Sequence, residues 1–210
     1  MTTAKPWRVL SSAITFEDRW LKVRSDHCLT ADGVEVTPYH VVEYPDWVAI
    51  VALTPEFHLV TVREYRHGRA RVIDGIPGGA IDPADSDNGT NVAETAARRE
   101  LREETGYGGE RFIPILTVYP DPANQNNLAT AFLLLGARPE GGTALDSSEA
   151  VDVALEDFAA VLTRVRSGEL RMHAVHVAAL WSAAARIIAG GEEVAEAAAL
   201  RDRLMTALAS

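Results

Sequence analysis

Glu100, Glu103 and Glu104 stand at i, i+3 and i+4 in the run Arg99-Glu-Leu-Arg-Glu-Glu-Thr-Gly106. On a helix that spacing brings all three carboxylates to one face. Like charges so placed oppose each other by about 0.2–0.5 kcal/mol per pair. They also crowd the C-terminal end of the helix, where the backbone dipole disfavours anions. Two readings account for the cluster. One is a solvated acidic face with no task. The other is a site for a hard divalent cation such as Mg²⁺ or Mn²⁺, which prefers oxygen ligands and keeps waters and substrate phosphates around it. Arg99, four residues before Glu103, is spaced to hold that carboxylate.

Upstream lies Ile76-Pro-Gly-Gly-Ala-Ile-Asp82, a glycine turn that lets main-chain atoms come close to a ligand. Glycine turn, loop and Ala-Ala-Arg-Arg-Glu-Leu-Arg-Glu-Glu-Thr-Gly-Tyr together resemble the Nudix box, G-x5-E-x7-R-E-U-x-E-E-x-G-U with U a bulky apolar residue. The second half matches at Arg99, Glu100, Leu101, Glu103, Glu104, Gly106 and Tyr107. The first half departs. Counting forward from Gly79 reaches Asp85, counting back from Arg99 reaches Asn91, and the loop is six residues longer than the pattern. Asp85 is the better substitute for the missing Glu, because Asn91 already suits a helix N-cap.

The resemblance covers roughly residues 7–185 and is strongest to the ADP-ribose pyrophosphatase branch. It is carried by Trp7-Arg-Val-Leu-Ser-Ser, by Val62-Arg-Glu-Tyr-Arg-His-Gly68, by Gly168-Glu-Leu-Arg-Met-His, and by Pro122, fifteen residues past Tyr107. Gly75 departs from it, since the branch often has Glu there. The resemblance implies Glu100 and Glu104 as direct metal ligands, Glu103 as a ligand or outer partner, and the Gly78 carbonyl completing the set. Arg99 and Glu103 would serve catalysis, and Glu149, within Asp146-Ser-Ser-Glu-Ala-Val-Asp-Val153, would be the general base. A surface-loop role for Glu149 is equally open, with Asp146, Glu103 or Glu104 as substitute bases. The implied reaction is Mg²⁺- or Mn²⁺-dependent hydrolysis of ADP-ribose, or a related nucleotide sugar, to a nucleoside monophosphate and a sugar phosphate. GDP-mannose or a dinucleotide is the nearest rival substrate, and a non-catalytic nucleotide-sugar sensor is the rival class.

Other residues have two readings each. Arg63 and Arg66 flank Tyr65 and could grip phosphate or ribose, or simply pair on the surface. His173 and His176, at i and i+3 with no third ligand nearby, are expected to pack rather than bind metal. Trp47 and Tyr119 could stack on a base, although buried aromatics are the commoner case.

These side chains need a framework. Val48–Leu53 and His58–Val62 look like a hairpin of buried strands, and residues 75–91 look like loop. Helical spacing runs from Val92 to Thr105, with Asn91 as N-cap and Gly106 as the stop. Strand patterns return at Ile113–Tyr119, Ala129–Leu135 and Ala150–Ala154, followed by helical patterns at Leu155–Ser167 and Met172–Ala189. This mixture argues α/β (α+β). The resemblance sharpens it to the Nudix α/β/α sandwich with a mixed sheet, preceded by a small antiparallel β segment. We expect residues 1–45 as that segment, 46–189 as the hydrolase domain and 190–210 as a helical tail. The N-terminal segment, by resemblance, makes a homodimer.

The bulk numbers agree with a globular enzyme. A net charge of −10, with no Lys/Arg run beyond two residues, argues against a nucleic-acid partner. It also requires arginines or cations to offset the field around an anionic substrate. Cys28 is the single cysteine, so no intrachain disulfide forms. With no apolar stretch suited to a membrane, a cytoplasmic enzyme is expected.

Overall fold

Polar–apolar alternation near the N-terminus becomes three antiparallel strands, β1 (Arg8–Glu17), β2 (Lys22–Leu29) and β3 (Glu35–Glu43), in the order β1-β2-β3. The turn between β2 and β3 uses Gly33 at φ 82°, a conformation that costs glycine nothing. The computed structural model describes residues 4–19, 21–85, 91–144 and 150–209. These fall into two compact units, Met1–Pro45 with Tyr119–Leu128, and Asp46–Val118 with Ala129–Ser210. The Tyr119–Leu128 segment is held in the first unit by Val42 N–H to Asn124 carbonyl at 2.7 Å and by the Tyr39 hydroxyl donating to the Ala123 carbonyl.

The second unit is built on β4 (Trp47–Leu53), β5 (His58–Arg66), β6 (Arg71–Gly75), β7 (Tyr107–Gly108), β8 (Phe112–Val118), β9 (Ala129–Leu135), β10 (Arg138–Pro139) and β11 (Val151–Asp157). Its helices are α1 (Val92–Thr105), α2 (Phe158–Arg166), α3 (Ala174–Ala189) and α4 (Ala198–Ala209). The main sheet runs β11-β5-β4-β9-β8, with β6 on β5 and a short β10-β7 pair apart. It is mixed: β4 and β9 are parallel over Trp47↔Ala129 to Leu53↔Leu135, and its other pairs are antiparallel.

The strand β4 is apolar at every position from 48 to 53 because both its faces are covered. Val48, Ile50 and Ala52 pack with Ala96, Ala97 and Leu101 of α1. Ala49, Val51 and Leu53 pack with Phe158 and Leu162 of α2 and Leu180 and Ala183 of α3. That is an α/β/α sandwich, as the family resemblance implies. Leu200 and Leu204 of α4 bury into the same cluster as α2 and α3. Among the described residues no single helix is long and apolar enough to cross a membrane.

Three local expectations change. Helical spacing predicts a helix from Leu155, but β11 continues to Asp157 because Leu155 pairs with Val60 on β5. The helix starts only where the Asp157 carboxylate accepts the Ala160 N–H at 2.9 Å. The expected β4–β5 hairpin is a fork: the strands pair at Leu53↔Leu59 and then part. The supposed loop after Gly75 fills that fork, since Ala80 bridges Trp47 and the Ile81 N–H reaches the Asp46 carbonyl at 2.8 Å.

Candidate active site

The carboxylates ride on α1, and the ends of that helix are set by its sequence. Asn91 caps the start, its Oδ1 accepting the Ala93 N–H at 3.2 Å. Gly106 ends it in the left-handed region at φ 72°, its N–H donating to the Arg102 carbonyl at 2.9 Å. Ala96, Ala97 and Leu101 are fully buried against β4, which fixes the rotation of the helix about its axis. Glu100 and Glu104 then face the glycine turn.

That turn is pinned by main-chain bonds. The carbonyls of Pro77 and Gly79 accept from Ile50 N–H at 2.8 Å and Val48 N–H at 2.9 Å. Gly78, between them, lies so close to β4 that a Cβ would stand 2.2 Å from the Val48 carbonyl oxygen. At Gly79 a Cβ would stand 2.4 Å from Glu100 Oε1. Gly78 therefore admits no side chain, and Gly79 would admit one only if the Glu100 carboxylate moved. The Gly78 N–H donates to Glu104 Oε2 at 3.0 Å.

Arg99 ties these pieces together. Its Nε and Nη2 grip Asp85 Oδ1 and Oδ2 at 3.0 and 2.9 Å, and Nη2 also donates to the Ala80 carbonyl at 3.0 Å. Its Nη1 donates to Glu100 Oε1 at 2.9 Å and Glu103 Oε2 at 3.0 Å. Asp85 is only 4% exposed and accepts the Asp82 N–H at 2.8 Å. The hydrogen bonds from Arg99 hold the Asp85 carboxyl below its ordinary value, and the same bonds push the guanidinium above its own. Asp85 thus anchors Arg99 to the stretch before α1.

The oxygen donors suit a hard divalent cation. Asp85, Glu100 and Glu103 surround one guanidinium, and Glu104 stands at the glycine turn, leaving the neighbourhood strongly anionic. Among the described residues no three Asp, Glu, His or Cys side chains are drawn together as a ready cation cage. Glu104 meets the Gly78 N–H, and Glu100 stands against Gly79 while sharing the Arg99 Nη1 with Glu103.

Arg63 pairs with Asp74 across the β5–β6 ladder at 2.7 Å, and Arg66 pairs with Glu64. Arg66 also lines a cavity of about 470 Å³ with Trp47, Gly75, Arg171, His173 and His176. Pro122 belongs to the first unit, in a turn where Asp121 Oδ1 accepts the Ala123 N–H at 3.3 Å. Glu149 and Asp146 lie outside the described residues. Tyr119 is exposed, and Trp47 meets His173 edge-on with ring centroids 5.0 Å apart.

Of the two histidines, His176 packs as expected, while His173 is exposed. His173 caps α3, its Nδ1 accepting the Val175 N–H at 3.2 Å. His176 is buried, and burial foremost, then His173 and Arg66, pushes it down to about 3. Its Nδ1 accepts the Ile76 N–H at 3.3 Å, a contact across 100 residues for which the sequence carries no local signal.

A model of the nucleoside diphosphate sugar hydrolase N-terminal domain matches residues 7–42, and a model of the NUDIX domain matches residues 44–176. The ADP-ribose pyrophosphatase of Bacillus subtilis (strain 168) is 31% identical over 93 residues, 44% of this chain and 47% of that protein. The methanol dehydrogenase activator of Bacillus methanolicus is 28% identical over 139 residues, 66% of this chain and 71% of that protein. The crystal structure of an ADP compounds hydrolase has the same fold, with a TM-score of 0.73 at 23% identity over 87% of this chain and 95% of that one.

Proposed function

Since the chain belongs to the Nudix family of hydrolases, we propose that it cleaves the diphosphate of ADP-ribose or a closely related nucleoside diphosphate sugar, using Mg²⁺ or Mn²⁺. The observation that carries this reading is the meeting of Glu100 and Glu104 with the Gly78-Gly79 turn, locked by Arg99. Glu100, Glu104 and the Gly78 carbonyl would hold the cation, and Glu103 would take an outer place. The bound cation supplies charge stabilisation at the diphosphate and a more acidic attacking water.

The chain's own side chains do the rest. Arg99 keeps Glu100 aimed at the glycine turn and joins it to the anchored Asp85. Arg63 and Arg66, both on β5, suit phosphate or ribose; Pro122 is assigned to substrate binding. Glu149 is assigned the role of general base, removing a proton from the attacking water. The similarity to an ADP-ribose pyrophosphatase supports the substrate class. A homodimer is supported by β1, which exposes Val9, Leu10, Ile14 and Phe16 for a second copy to cover.

The test is a panel of ADP-ribose, GDP-mannose, other nucleotide sugars and dinucleotides with Mg²⁺ or Mn²⁺, read by phosphate release after a phosphatase. ADP-ribose should give the highest kcat/KM, and Glu149→Gln should lower kcat by about 10²–10⁴-fold. A better rate on GDP-mannose or a dinucleotide reassigns the substrate. A full-rate Glu149→Gln variant moves the base to Asp146, Glu103 or Glu104.

A further inference from the structure

The glycine turn has a support that belongs to neither α1 nor β4. His176, on α3, is 7% exposed and accepts the Ile76 N–H through Nδ1 at 3.3 Å. Its ring also occupies the space above Gly75, where a Cβ would stand 3.0 Å from Nδ1 and 3.1 Å from Cε1. Ile76 is itself 1% exposed in the main core cluster. From Ile76 the chain runs straight into Pro77, Gly78 and Gly79, whose carbonyl and amide groups are committed to Ile50, Val48 and Glu104.

We propose that His176 is a positioning residue for the cation site, acting through the Ile76 amide and the side-chain-free Gly75 to fix the height of Gly78 against Glu104. This rests on the metal-dependent reading of the Glu100–Glu104 pair. Without the Nδ1 acceptor, the Ile76 amide is buried with no partner, and a buried polar group in that state moves toward another one. The two residues that separate it from Gly78 form a short, stiff lever, because Pro77 has a fixed φ. A shift of the amide is therefore passed to the Gly78 N–H and carbonyl rather than absorbed in between. The ring must be neutral and carry its proton on Nε2 to accept in this way. Burial keeps it neutral throughout the working range.

Three variants and one spectrum test the proposal. The ¹⁵N NMR shifts of the metal-free protein should assign His176 as the Nε2–H tautomer with the Ile76 amide slow to exchange. An Nδ1–H tautomer overturns the proposal whatever the variants do. His176→Leu fills the space but offers no acceptor. His176→Asn places Oδ1 near the position of Nδ1. His176→Gln carries its acceptor one bond further out. Mn²⁺ affinity, measured by water proton relaxation without substrate, should fall about tenfold in His176→Leu and in His176→Gln, the scale of a lost outer partner of a metal ligand. In His176→Asn it should recover to within about threefold of the starting protein, with the Ile76 amide again protected. His176→Leu binding Mn²⁺ at full affinity, or His176→Asn no better than Leu, overturns the proposal. If the unaltered chain cleaves no member of the substrate panel, the hydrolase reading falls, and the tautomer and Mn²⁺ affinities still decide the role of His176.

Discussion

A single guanidinium at residue 99 joins the loop before α1, the glycine turn and two carboxylates of the helix. Its partner Asp85 is nearly inaccessible, so the ion pair is shielded from screening. Breaking one side leaves a buried group uncompensated, at a cost of about 1–3 kcal/mol. The Asp85 carboxyl lies below its ordinary value when folded, chiefly through the hydrogen bonds from Arg99. Its contribution to stability is therefore fully present above the unfolded value of about 4 and is lost as pH falls through the folded value. Asp85→Asn should melt several degrees lower at pH 7. The gap between variant and parent should narrow progressively below pH about 4, and a gap that stays constant down to pH 2 would show that this carboxylate is not the group being titrated. Asp85 as the substitute for the missing Glu was legible by counting along the box; its grip on Arg99 came only with the structure. The partner of His176 was not, because a hydrogen bond between Ile76 and α3 leaves no trace in the spacing of either segment.

At the level of elements, α1 is the part most fully written in the sequence: Asn91, Gly106 and the apolar stripe each state one boundary or one face. The glycine turn was legible as a close approach but not as an edge partner of β4, since strand pairing depends on where β5 departs. Leu155 fits both a helical and a strand spacing, and only its partner Val60 decides between them. The lengthened stretch before α1 is anchored on either side. Asp85 is held to Arg99, and Asn91 caps the helix. Replacing residues 86–90 with a Gly/Ser stretch of equal length keeps both anchors. Turnover should stay within about tenfold, a barrier change of about 1.4 kcal/mol. Loss of all activity in a folded variant would place part of the site within those five residues.

For the whole molecule, an anionic cluster in a chain of net charge −10 is a standing cost that a cation removes. A cation at one hundred times its dissociation constant stabilises the folded state by about 2.7 kcal/mol. For a chain of this length that raises the melting temperature by about 5–10 °C. Mg²⁺ or Mn²⁺ should therefore shift the melting curve of the parent and barely move that of Glu104→Gln, whose metal-free form should be no less stable. Equal shifts in both would point to cations held elsewhere. The layering was legible from the mixture of strand and helix patterns, sharpened to α/β/α by the family resemblance; the fork was not. The parallel register of β4 with β9 has a consequence in time. Trp47 cannot find Ala129 until the glycine turn, α1 and β8 have all been synthesised. A chain emerging from the ribosome must keep six consecutive apolar residues of β4 waiting through that interval, with one long edge unsatisfied. Pairings this distant along the chain close slowly. The interval before residue 135 emerges is when a chaperone would meet this chain.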